Sequence, residues 1–214
     1  MPIIGPDRDC GLCPRLADYR HANRREHPDW FNAPVPSFGP ANAHLLVVGM
    51  APGVRGANRT GRPFTGDFAG VLLYKTLIRF GFANGNYAAD PSDGLELRDC
   101  RIANAVRCVP PANLPQPLET RTCNPFLVEE LRGMAQLRIV LALGLLSHAA
   151  VLRTQGLSAG RVKFAHGAMH PLHSGLVLAN SYHVSQYNQN TGRLTAAMFE
   201  RVMADIRDRL PQPP

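Results

Sequence analysis

The chain has 214 residues, enough for a single domain (residues 1–214) with a sizeable core. Its 45% hydrophobic and 18% charged content excludes a disordered chain. The longest apolar run, Ile139 to Leu143, is far short of the roughly 20 residues a bilayer span needs, and the first ten residues hold no apolar signal core, so the cell interior is the expected compartment and no membrane partner is expected. The net charge is +7, carried almost wholly by arginine because Lys75 and Lys163 are the only lysines; this suits an anionic polymer, although an arginine-favouring codon bias has the same effect on composition.

Along the chain, Cys10 and Cys13 come first as a C-x2-C pair. In an intracellular chain that spacing points to a metal or cluster rather than to a disulfide. After a proline-rich loop from Pro34 to Pro40, the run His44 to Met50 reads as a short buried strand. The next 18 residues, Met50 to Asp67, hold four glycines and three arginines, an anion cradle at a strand's carboxyl end. No Gly-Lys-Ser/Thr follows, so it is not a P-loop, and its glycine spacing is not that of a dinucleotide fingerprint. Asp67 stands where a helix N-cap belongs, before a helical pattern from Phe68 to Phe80 in which Val71, Leu72, Ile78 and Phe82 share a face and Gly81 marks the exit.

A second strand is expected over Arg101 to Val106, with Cys100 as core. Cys108 and Cys123 flank a proline-rich loop, Pro110 to Pro117, and complete a four-cysteine set. Their C-x14-C spacing is too wide for a zinc ribbon, which puts an iron–sulfur cluster ahead of zinc. Leu137 to Leu143 and Leu176 to Tyr182 read as two further strands, and Leu194, Met198, Val202, Ile206 and Leu210 recur every four residues in a last helix. His166, His170 and His173 have an H-x3-H-x2-H spacing, but Gly167 and Pro171 interrupt it, so a surface loop is expected rather than a metal site. This alternation predicts a three-layer α/β/α fold around a central, mainly parallel four-stranded sheet. Ligands of such sheets sit beyond the carboxyl ends of the strands, here the segments after Met50, Val106 and Tyr182.

The segment Gly49 to Asp67 resembles the first motif of the uracil-DNA glycosylase superfamily, and most closely its iron–sulfur-containing family 5, the type B enzymes of bacteria and archaea. The resemblance continues in order through Pro36 to Pro40, through Asn104 to Cys108 with Pro110 to Asn113, and through Ser181 to Gly192, which is similar to the second active-site motif H-P-S-x-x-N-x-x-T-G. It implies a monomeric DNA repair glycosylase that acts on uracil, and on hypoxanthine and other deaminated or damaged bases, with Cys10, Cys13, Cys108 and Cys123 holding a [4Fe–4S] cluster. Ala51 stands where related families place a carboxylate or amide to handle water. In family 5 the aspartate of the TGD sequence is the proposed substitute, which assigns that role to Asp67.

The residue types agree with that chemistry. Base excision requires a nucleotide rotated out of the stack into a snug pocket. Phe64 offers a stacking face, and Asn104 has the paired donor and acceptor that a uracil O4/N3 edge requires. His183 can donate to O2 as charge develops on the leaving ring. A carboxylate such as Asp67 can stabilise the sugar cation or orient water, beside its role as N-cap. Gly53 and Ser185 suit phosphate contacts, to which Arg55, Arg59, Arg62 and Arg193 add charge, and Tyr187 suits insertion into the gap left by the base. Val184 replaces the motif's proline, which predicts a looser loop. Neither lysine falls in a motif, so no Schiff base is expected and the abasic strand should remain intact. The competing reading is a non-catalytic Fe–S or zinc module that binds nucleic acid.

Overall fold

In a computed structural model, which describes residues 3–172 and 174–211, the four apolar runs become neighbouring strands. The elements in chain order are α1 (Pro14–Glu26), β1 (Leu45–Gly49), α2 (Ala57–Thr60), α3 (Phe68–Arg79), β2 (Ala83–Asn84), β3 (Glu96–Leu97), β4 (Cys100–Asn104), α4 (Pro117–Gly133), β5 (Ile139–Leu143), α5 (Leu145–Thr154), β6 (Met169–Pro171), β7 (Val177–Ser181), α6 (Gln186–Asn190) and α7 (Ala196–Arg207). The main sheet has the order β4-β1-β5-β7-β6. Its first four strands are parallel, and β6 is an antiparallel edge strand beyond the four expected.

Alternate residues of each strand face opposite sides, and both sides are apolar. Leu45, Val47, Ile139, Leu141 and Ala179 pack with residues of α3 and α7 on one face. Leu46, Val48, Val140, Ala142 and Leu178 pack with residues of α4 and α5 on the other. The expected three-layer architecture is therefore present, with Cys100 fully buried in β4 as expected. Among the described residues no helix is long and apolar enough to cross a membrane.

Three sequence expectations change. Val71 lies on the solvent face of α3 at 53% exposure, because the buried stripe runs through Ala69, Leu72, Leu73, Thr76 and Leu77 instead. Val184 does not loosen its loop: it is fully buried in the core, and α6 ties the adjoining backbone down. There the Asn188 amide donates to the His183 carbonyl (2.8 Å) and the Gln189 amide to the Val184 carbonyl (2.7 Å). His170 lies in the edge strand β6 rather than in a loop; His166 is in the turn before it, where its Nδ1 accepts the Tyr182 amide at 3.1 Å, and His173 lies outside the described residues.

Candidate active site and four-cysteine cavity

Four parallel strands deliver their carboxyl ends to one rim, where a cleft of about 760 Å³ opens. Met50 to Gly56 follow β1, Asn104 ends β4, Gly144 to Leu146 follow β5, and His183 and Ser185 follow β7. Phe64 and Asp67 line the same hollow from the loop that leads into α3.

Gly49, the last residue of β1, sets the spacing of the floor. A Cβ there would lie 2.4 Å from Asn104 Oδ1 and 2.6 Å from Phe64 Cζ, so both side chains rest on bare backbone. Phe64 has φ +53, and its carbonyl accepts the Tyr87 hydroxyl at 3.0 Å. Its ring centroid is 6.1 Å from that of His183, tilted by 36°. Buried Asn104 makes no side-chain hydrogen bond with the described residues, which leaves both ends of its amide for a ligand. Burial pushes the His183 pKa down to about 4, so the imidazole is neutral at pH 7 and carries one donor and one acceptor.

Asp67 divides its two oxygens. Oδ1 accepts the Gly70 amide at 3.3 Å and caps α3, as the sequence predicts. Oδ2 faces the glycine loop, 2.3 Å from where a Cβ on Gly56 would stand and 3.3 Å from one on Gly53. Burial raises the Asp67 pKa above its ordinary value, against the pull of the Gly70 and Ala69 amides.

The remaining candidates lie at or beyond the rim. Ser185 caps α6 and lines the cleft, its Oγ accepting the Asn188 amide at 3.4 Å. Tyr187 is outside the hollow on α6 and 72% exposed. Arg55 lines the cleft. Arg62 is a correction to the sequence reading: it is buried, paired with Asp93 through two 2.8 Å contacts and set against the Phe38, Tyr74 and Tyr87 rings. It has no reach to a phosphate. Two lining features escaped the sequence reading. Asn113 has φ +55 and accepts the Val54 amide at 3.4 Å; its signal was its place in the proline loop. Gly144 and the first residues of α5, Leu145 and Leu146, follow a strand end and read in the sequence as a continuation of the apolar run.

A second, smaller cavity lies where α1 meets α4. Cys10, Cys13, Cys108 and Cys123 all line it, with Leu16, Val106 and Phe126. Cys13 is the N-cap of α1, and Cys123 lies in α4. Burial pushes the Cys13 thiol up to about 11 and the Cys108 thiol up to about 12. Arg20, 1% exposed, donates to Cys108 Sγ at 3.4 Å and to the Cys10 carbonyl at 2.9 Å. Its Nε has no partner among the described residues, and it forms no ion pair with a described carboxylate. The Arg107 amide donates to Cys123 Sγ at 3.4 Å. Arginines 15, 20 and 24 are consumed by such contacts, Arg15 on Glu119 and Arg24 on Asp9, and do not form a free basic face.

A strand-end cleft with an aromatic ring, a free amide, a neutral imidazole and a carboxylate is that of a base-excising α/β fold, and comparison with known proteins agrees. The family model described as "Uracil DNA glycosylase superfamily" matches residues 36–207, and the chain belongs to that superfamily. It is 43% identical over 206 residues to the type-5 uracil-DNA glycosylase of Mycobacterium leprae, covering 92% of this chain and 90% of that protein. It is 42% identical over 204 residues to the type-5 enzyme of Thermus thermophilus, with 92% of each chain covered. The type-4 uracil-DNA glycosylase of Pyrobaculum aerophilum is more distant, at 34% over 150 residues, 70% of this chain and 62% of that protein.

Proposed function

We propose that this protein hydrolyses the N-glycosidic bond of uracil in DNA and leaves an abasic site in an unbroken strand. The observation that carries this reading is the convergence of Phe64, Asn104, His183 and Asp67 on one hollow at the sheet's rim. The relatives' printed substrate supports uracil as the base.

Uracil rotated into the cleft stacks on Phe64, and the Asn104 amide donates to O4 while accepting from N3–H. The C1′–N1 bond breaks with its electron pair passing to the ring, and the negative charge gathers on N1 and O2. A neutral His183 donates its N–H to O2; the pKa near 4 keeps that imidazole uncharged, so it stabilises the anion by a hydrogen bond without transferring a proton. Asp67 Oδ2 faces the emerging sugar cation and takes the proton of the water that adds to C1′. Lys75 and Lys163 do not line the cleft, which supports hydrolysis without a covalent amine adduct.

The four cysteines fit a [4Fe–4S] cluster. The Cys13, Cys108 and Cys123 thiols, pushed up by burial, need a cationic partner to ionise, and the buried Arg20 needs an anion; four thiolates on a +2 core, net about −2, would meet both requirements. Bound there, the cluster would supply four iron–thiolate bonds that tie the segment before α1 to α4. Iron and sulfide analysis of the purified protein, with its visible absorption, distinguishes cluster from zinc.

The activity test is a uracil-containing oligonucleotide incubated with the protein and then treated with alkali. Breakage at uracil only after alkali is expected, with hypoxanthine as a second substrate in the same assay. Breakage without alkali contradicts the intact-strand product. A strand left whole under every condition, yet bound, favours the non-catalytic binding module.

A further inference from the structure

A shallower groove of about 500 Å³ opens on the far side of α2 from the cleft. Trp30 and Phe31 form its aromatic wall, and Arg8, Asp29, Arg59 and Thr60 surround it. The wall is fixed to α2 by backbone: the Phe31 amide donates to the Arg59 carbonyl and the Asn32 amide to the Asn58 carbonyl, both at 3.0 Å. Buried Asn58 adds a side-chain bond to Asn32 Oδ1 at 2.9 Å. Gly61, at φ +77, lies under the Phe31 ring; a Cβ there would stand 2.8 Å from Cδ2. Trp30 stacks on His27 with ring centroids 3.8 Å apart and planes at 15°, which fixes the indole while leaving it partly exposed. Arg8 and Arg59 are exposed, and neither is ion-paired with a described carboxylate.

The short helix α2 is the partition between the two hollows. Ala57 lines the cleft, while Arg59 and Thr60 line the groove. A helix with its side chains is about 10 Å across, which is about three nucleotides of a B-form strand. An aromatic face flanked by two arginines without a described carboxylate partner, Arg59 holding the Arg55 carbonyl through Nε at 2.9 Å with its terminal nitrogens left over, has the composition of a site for an unpaired nucleotide, whose base stacks while its phosphate meets the cations. A strand with one nucleotide in the cleft that crosses α2 would reach this groove about three nucleotides further on.

We propose that the Trp30 groove holds an unpaired nucleotide of the substrate strand, its base stacked on Trp30 and its phosphate between Arg8 and Arg59. This rests on the reading of the cleft as the seat of the excised base. Asp29 on the rim disfavours a second phosphate and limits the groove to about one nucleotide.

Trp30 is the only tryptophan of the chain, so its fluorescence reports the groove alone. The probe is single-stranded DNA carrying an uncleavable tetrahydrofuran abasic site, with flanks of zero to six nucleotides on one side or the other. Saturable quenching is expected once the flank on one side reaches about three nucleotides, and no quenching with the opposite flank alone. By anisotropy of a labelled strand, Trp30→Ala should weaken binding about tenfold, while Trp30→Phe stays within about threefold of the parent. Uracil excision by the parent protein is measured on the same preparation. If excision proceeds and Trp30 fluorescence ignores every flank, the groove proposal is overturned while the cleft reading stands. If excision itself is absent, the cleft reading fails first. Equal affinities for Trp30→Ala and the parent also overturn the stacking claim.

Discussion

Gly49 leaves room for the two side chains that meet over it, and its own missing side chain is the reason. Gly49→Ala must displace Asn104 or Phe64, since a Cβ would sit 2.4 Å and 2.6 Å from them. Single-turnover excision should fall about 100-fold, the scale of a misplacement near 1 Å, with DNA affinity within a few fold of the parent. Unchanged excision by that variant would remove the floor from the proposed pocket. His183 gives a second residue-scale expectation. Its pKa lies near 4 in the folded protein against 6.5 without burial, so the unfolded chain binds more protons between those values. Stability therefore rises with pH across roughly pH 4 to 6.5, and the contribution is lost on acidification, by up to about 3 kcal/mol. Urea melts at pH 4.5 and 7 should show that slope, and His183→Gln should flatten it. At this scale Phe64, Asp67, Asn104 and His183 were legible because loop and strand-end motifs expose them. Arg62 was misread because nothing in a run of arginines reveals that Asp93, 31 residues away, pairs with one of them.

At the scale of elements, α4 is the beam between the cysteine cavity and the sheet. Glu130, 2% exposed, accepts from Arg101 on β4 (2.5 Å), from Arg107 just beyond it (2.6 Å) and from Ser37 (2.5 Å). Burial alone would push its carboxyl up, but Arg107, Ser37 and Arg101 hold it below the ordinary range. Its stabilising contribution is thus present above the unfolded pKa and lost as pH falls through the lower folded one. Glu130→Ala strands two guanidinium groups and should cost about 3–5 kcal/mol, measured by denaturant unfolding. A loss under 1 kcal/mol would show the network to be idle. The strands were legible as short, nearly continuous apolar runs, and the last helix from its period-4 apolar pattern. Helix α1 was not, because its buried face includes Arg20 and Asn23 beside Leu16 and Ala17 and so lacks an apolar stripe. Helix α4 was hidden by prolines at both Pro117 and Pro125, and β6 by its three-residue length ending in Pro171. Val184 shows the reverse case: a proline lost from a motif reads as slack, yet full burial and two side-chain-to-carbonyl bonds hold the loop.

The whole molecule presents the carboxyl ends of four parallel strands at one rim and carries a formal charge of +7, which the proposed cluster, if bound, would lower to about +5. Electrostatic, nonspecific attraction to DNA at long range is expected of that charge, with the proposed selection of the base left to the cleft at short range. The logarithm of DNA affinity should fall linearly with the logarithm of salt concentration, while single-turnover excision at saturating protein should change little. The measurement that bears most directly on the central claim is single-turnover release of free uracil from one DNA duplex by the parent, Asp67→Asn, Asn104→Ala and His183→Ala, with DNA affinity measured for each. The parent should release uracil, and each variant should be slowed at least about 100-fold with affinity changed less than about threefold. Variants that release uracil at the parent's rate would contradict a base held and cleaved among these side chains.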